Sequence, residues 1–179
     1  MRLFVGIPLS EAAGAELSRL TSRLRTAEGQ SGLRWSKPES WHITLQFLGN
    51  VSEEQFSCLV ERLGEVRGAP FTVLLGRLGV FARAGVFHAE AELSPHLVAL
   101  QQRITAATAG CGFEADERPY RPHITLARGR KLHGFKVRIR DARTLPSFRA
   151  TEFLLYESHL SSAGSSYEIR RRFPLTGSK

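Results

Sequence analysis

The chain has 179 residues, 42% hydrophobic and 23% charged, with a formal net charge of +8. That is enough for one compact domain, or two lobes sharing a core, and it argues against disorder as the main state. No apolar run approaches the roughly 20 residues of a membrane span, and the start MRLFVGIPLS is too quickly polar for a secretory signal, so a cytoplasmic protein without membrane contact is expected.

In chain order, Arg2–Ile7 (RLFVGI) reads as a buried strand. The next segment, from Leu9 to Gly29, reads as a helix with Ser10 as N-cap and Leu17, Leu20 and Leu24 on one face. A strand bearing His42-Ile43-Thr44-Leu45 follows. Then Ser52 and Gln55 form a capping-box pattern ahead of Phe56, Leu59, Val60 and Leu63 at helical spacing. FTVLLG (71–76) and GVFHAEAEL (85–93) look like a strand pair. Ser94 as N-cap, Pro95 at the first helical position and glycines at the stop mark a third helix. After the turn-rich DERPYRP (116–122), the strand motif returns as His123-Ile124-Thr125-Leu126. The tail suggests further strands, including FKVRIR (135–140), with SSAGSS (161–166) connecting EFLLYESHL to YEIRRRF as a hairpin. Mixed strands and helices with hairpins argue for an α+β fold with antiparallel sheet. The one internal repetition, near the middle of each half, suggests two similar lobes meeting at a cleft.

Cys58 and Cys111 are in neither a CxxC spacing nor a cluster of metal-type ligands. They are expected to be buried small apolar residues, with no disulfide framework and no structural zinc. Of 25 basic residues only Lys37, Lys131, Lys136 and Lys179 are lysines. Arginine grips phosphates and stacks on bases, so a polyanionic partner is one reading; a genome-composition bias is the other.

The repeat carries the chemistry. On a strand His42 and Thr44 share one face while Ile43 and Leu45 take the other, and His123, Thr125, Ile124 and Leu126 relate identically. Two imidazoles facing each other suit general-base and general-acid roles in one in-line displacement, with hydroxyls stabilising phosphoryl oxygens. A cyclic phosphodiester fits this set. One His-x-Thr is more often structural; two copies with identical apolar partners favour function. A zinc site is the rival reading, but the motifs offer no third ligand.

The paired motifs, with RLFVGI, HITLQFLG, YRPHITLAR and the late LYESHL, resemble the 2H phosphoesterase superfamily, in particular its RNA 2',3'-cyclic phosphodiesterases, the LigT-like or 2'-5' RNA ligase family. The resemblance spans nearly the whole chain. It implies one 2H phosphoesterase domain over 1–179, of α+β class. That domain is bilobal with pseudo-two-fold symmetry, its two antiparallel sheets flanking a central cleft and its helices outside. It also implies metal-free and cofactor-free hydrolysis of RNA 2',3'-cyclic phosphate ends to 2'-phosphates, with a reversible 2'-5' ligation attached. His42, Thr44, His123 and Thr125 take the catalytic places, His123 as base for water and His42 as acid for the departing 3'-oxygen. A monomer is expected.

Further candidates for substrate binding are Arg128, at the family's arginine position, and Phe4, Tyr120 and Tyr167 as stacking rings. Phe4 could equally be core and Tyr120 a loop anchor. Ser158 lies in the tail motif. His88 stands in VFHAE where the family often shows tryptophan, which puts substrate contacts there in question. His96, His133 and His159 read as surface or structural. Two other functions stay open: the same chemistry on a small nucleotide such as ADP-ribose cyclic phosphate, and a non-catalytic RNA-binding module.

Overall fold

A computed structural model describes residues 1–27, 32–130, 132, 145–161 and 164–177. The strands are β1 (Arg2–Pro8), β2 (Arg34–Trp35), β3 (His42–Asn50), β4 (Phe71–Phe81), β5 (Val86–Ala91), β6 (His123–Arg128), β7 (Ser147–Ala150), β8 (Glu152–Ser161) and β9 (Gly164–Pro174). The helices are α1 (Glu11–Ala27), α2 (Glu53–Gly64) and α3 (Pro95–Ala109). His133 and the strand expected at 135–140 lie outside the described residues, as do residues 162–163 of the expected hairpin connection.

Local signals place the helices where the sequence puts them. The Ser10 hydroxyl accepts from the Ala13 amide at 3.3 Å. Ser52 and Gln55 close a full capping box on α2, and Ser94 caps α3 through Leu97 N–H with Pro95 at the first position.

Two antiparallel sheets carry the fold, with strand orders β3-β1-β8-β9 and β2-β6-β5-β4-β7. They do not follow the two halves of the chain. The first sheet joins both ends of the sequence, because β8 pairs with β1 through Phe4 opposite Tyr156. One buried cluster runs under both sheets and includes Val5, Ile7, Ile43, Leu45, Phe87, Ile124 and Leu126. The two motif strands, β3 and β6, come into contact where the sheets meet.

Three features depart from the sequence reading. Cys58 on α2 and Cys111 just past α3 form a disulfide, with Cα atoms 5.8 Å apart. The packing of α2 against α3 sets this pairing, and a separation of 53 residues hides it from the sequence. β4 continues past Gly76 to Phe81, which brings Gly79 and Phe81 alongside β5. The short β2 adds an edge strand to β6.

Candidate active site

Burial follows the same order in both motif strands. A half-buried histidine is followed by a buried isoleucine, a half-buried threonine and two buried residues, Leu45-Gln46 or Leu126-Ala127. An exposed Phe47 or Arg128 comes next. The register explains the break in alternation. β1 pairs Gly6 with Thr44 but Val5 with Gln46, leaving Leu45 unpaired. β5 pairs His88 with Thr125 but Phe87 with Ala127, leaving Leu126 unpaired. The fourth residue of each tetrapeptide is therefore a one-residue bulge, and it returns Phe47 and Arg128 to the face of the histidine and threonine. Behind the first bulge, Gln46 is buried and accepts a 2.8 Å hydrogen bond from the Thr108 hydroxyl of α3.

Each histidine is oriented by the backbone before it. His42 Nδ1 lies 2.8 Å from the Ser40 carbonyl, and His123 Nδ1 lies 2.7 Å from the Arg121 carbonyl. A carbonyl only accepts, so Nδ1 carries the hydrogen in both rings and Nε2 is the free nitrogen. Burial lowers the proton affinity of His42 to a pKa of about 4; the Ser40 bond opposes this, and the charges of His123 and Arg128 add to it. His123 is also lowered by burial, against the pull of the Arg121 carbonyl, with Arg128 and Arg121 adding to the shift. The charge of Arg128 thus reaches both imidazoles.

The surroundings of the two rings differ. His42 stands among Phe4, Tyr167 and Tyr156, with ring centroids 4.6, 5.0 and 5.5 Å away. Gly6 leaves it room, since an added Cβ would lie 3.5 Å from His42 Cδ2 and 3.0 Å from the Ile43 carbonyl. His123 meets Phe81 edge-on at 4.9 Å and His88 at 5.4 Å.

The remaining expected residues separate clearly. Phe4 is 2% exposed and stacked on Tyr156, so it floors the His42 pocket and has no face left for a base. The exposed ring on that face is Phe47, at 71%, opposite Phe4 in the ladder. Tyr120 is an anchor: its hydroxyl donates to the Thr44 carbonyl at 3.1 Å, and burial pushes its own ionisation up. Ser158 pairs with Tyr167 across the β8–β9 ladder and shares the face of Tyr156. His96 stacks loosely on Phe71, and exposed His159 pairs with Glu168 at 3.3 Å. Glu157, His159 and Glu168 could converge on a cation, but Glu157 is held by Arg170, and alternation turns Glu157 and His159 away from the face of Tyr156.

Sequence reasoning missed Phe47, Phe81 and Arg121, and left His88 open. Only the Arg128-like spacing of Phe47 after its histidine could have revealed it. Beside His123 lies a groove of about 370 Å³ lined by Arg77, Phe81, His88, Glu90, Tyr120 and Arg121, among others. In its lining, an ion pair of 2.7 Å joins Arg77 of β4 to Glu90 of β5.

The family described as LigT like phosphoesterase matches the chain over residues 7–88 and 89–167, one motif in each stretch. The chain belongs to the LigT-like phosphoesterase family. An RNA 2',3'-cyclic phosphodiesterase of Bacillus subtilis is 30% identical over 172 residues, 93% of this chain and 92% of that protein. One of the same name from Escherichia coli is 31% identical over 145 residues, 77% of each. The crystal structure of E. coli LigT complexed with 3'-AMP superposes with a TM-score of 0.80 at 28% identity, covering 98% of both chains. The α+β LigT-like architecture expected from the motifs is the one observed.

Proposed function

We propose that this cleft hydrolyses 2',3'-cyclic phosphate ends of RNA to 2'-phosphates through its two histidines, without a metal. The observation that carries the reading is the matched pair of imidazoles, each locked at Nδ1 by a carbonyl two residues back, each with Nε2 free, and both feeling the charge of Arg128. The names of the similar proteins support the substrate class.

His123 Nε2 takes a proton from water as the water oxygen bonds to phosphorus. His42 Nε2 gives a proton to O3' as the P–O3' bond breaks. Thr44 and Thr125 donate to the non-bridging oxygens, and Arg128 balances the charge that builds on them. In the free protein both histidines are held neutral at pH 7, because their pKa values lie below 6.5. A bound phosphodiester anion raises the proton affinity of both, so substrate helps to charge the acid it requires. A 5'-hydroxyl in place of water would form a 2'-5' linkage by the same displacement.

Preference for RNA rests on the net charge of +8 and on Phe47, a ring suited to stacking a neighbouring base. No helix among the described residues is long and apolar enough to cross a membrane.

The test is an oligonucleotide ending in 2',3'-cyclic phosphate, incubated with the protein in EDTA. A 2'-phosphate product is expected, with longer RNA preferred over cyclic mononucleotides and ADP-ribose cyclic phosphate. A 3'-phosphate product, activity only on restored metal, or binding without turnover would each overturn the reading.

A further inference from the structure

By register, His88 faces Thr125 on one side and Gly79 on the other, as Gly6 faces Thr44 in the first sheet. Where the first sheet leaves a bare glycine beside its motif, the second places an imidazole. That ring is 4% exposed and stacks on Phe81, with centroids 4.0 Å apart and planes 19° apart. It lies against the backbone of Gly79, where an added Cβ would come within 2.9 Å of Nε2 and 3.0 Å of Cε1. Its edge then meets the His123 ring at 5.4 Å and 68°, while Phe81 meets the same ring at 4.9 Å and 87°.

We infer that His88 is a positioning residue: stacked on Phe81, it completes a two-ring wall against which the His123 ring rests with Nε2 directed into the cleft. The inference rests on the proposed hydrolytic role of His123. One hydrogen bond to the Arg121 carbonyl fixes a point on the His123 ring but leaves it free to swing about that point. A wall two stacked rings thick, met roughly at right angles, limits that swing more than either ring alone. His42 is confined by Phe4, Tyr156 and Tyr167, so each histidine has a box, built from different residues.

The chemistry of His88 fits a wall more than a proton carrier. Burial, with the charge of His123 next, lowers its pKa to about 4, so it is uncharged near neutrality. Its Nδ1 is buried with no partner in good hydrogen-bond geometry, and the Val86 carbonyl two residues back, as a weak hydrogen-bond acceptor for it, favours protonation but is outweighed by burial. The charged groups around it are Glu90, which favours a proton, and His123 and Arg121, which oppose one. Gly79 completes the device, because a side chain there would lift the ring from its seat.

The experiment compares His88→Ala, His88→Phe, His88→Gln, Gly79→Ala and the Gly79→Ala/His88→Ala pair, reading kcat and KM on a cyclic-phosphate substrate. The imidazole tautomer of His123 is read in the unliganded protein by nitrogen-15 NMR. His88→Ala and His88→Gln are expected to lower kcat by roughly 10- to 100-fold with KM within about twofold, the scale of a misplaced catalytic group. Both should show a mixture of His123 tautomers. His88→Phe, which keeps a flat ring on Phe81, should restore most of kcat and the single Nδ1–H form. Gly79→Ala should lower kcat when His88 is present and have no further effect in the His88→Ala background. An unchanged kcat in folded His88→Ala, a single tautomer there, or an equal Gly79→Ala loss in both backgrounds would overturn the inference. If His88→Ala does not fold, Gly79→Ala and His88→Gln decide it by the same measures. A parent protein without hydrolytic activity would refute the proposed function, while the tautomer reading would still decide the positioning role.

Discussion

Phe47 and Arg128 occupy equivalent places in the two repeats, each three residues beyond the motif threonine and each turned onto the cleft face by a bulged leucine. The duplicated geometry thus presents an aromatic ring on the histidine face of one motif strand and a cation on that of the other. Phe47→Ala is expected to raise KM for RNA oligonucleotides, by the loss of about 1–3 kcal/mol of stacking, and to leave turnover of a cyclic mononucleotide within about twofold. Arg128→Ala should lower kcat/KM on both substrates and raise the pKa of His42 and His123, since its charge now lowers them. Kinetics on the two substrates and histidine titration by NMR check this pair.

The lowered histidines set the pH dependence. Hydrolysis requires one ring neutral and the other protonated, so the pH profile of kcat/KM is a bell whose limbs belong to the coupled pair. With His42 at about 4 and His123 also below 6.5, the optimum should fall on the acid side of 6.5. The limbs of kcat should lie higher, because a bound phosphate anion favours both protons. Coincident kcat and kcat/KM profiles centred above pH 7.5 would contradict this.

Substituting His42 or His123 by alanine should each cost at least about 10²-fold in kcat, the low end for a positioned acid or base. The double variant should lose much less than the product of the single losses, since the two act as one unit. Thr44→Val and Thr125→Val keep the β-branched shape, so the fold should persist while the rate falls. Circular dichroism beside single-turnover kinetics separates the two effects.

The same three rings should make the protein acid-sensitive. His42, His88 and His123 have folded pKa values below the ordinary 6.5, so the native state favours their neutral forms. The stability this contributes is complete above about pH 6.5 and is lost as pH falls toward 4. Tm measured across that range should drop, and His88→Phe, which removes one of the three groups, should flatten the drop.

Reducing the Cys58–Cys111 disulfide, or replacing both residues by serine, should lower Tm. A chain-entropy account for 53 residues puts the loss at about 4 kcal/mol. The bond joins α2 to the end of α3, and neither cysteine is among the groups that contact or shift either histidine, so kcat at 25 °C should change by less than about twofold. Thermal unfolding with and without reductant, beside activity, checks both statements.

The amino-acid sequence by itself determined the helix starts at Ser10, Ser52 and Ser94, the strands around both tetrapeptides, and the pairing of His42 with Thr44 and His123 with Thr125 on one face. These follow from neighbours within a few residues: a hydroxyl reaching an amide three positions on, or the two-residue alternation of a strand. Tertiary structure decided the rest. Leu45 and Leu126 become bulges only against β1 and β5, and that register turns Phe47 and Arg128 into the cleft. Phe4 looked like a candidate stacking ring until β8 covered it with Tyr156. Cys58 finds Cys111, and His88 finds His123, only once helices and strands distant in sequence are packed together. A strand's own residues specify which faces it has; which neighbour each face meets depends on partners that the strand does not contain.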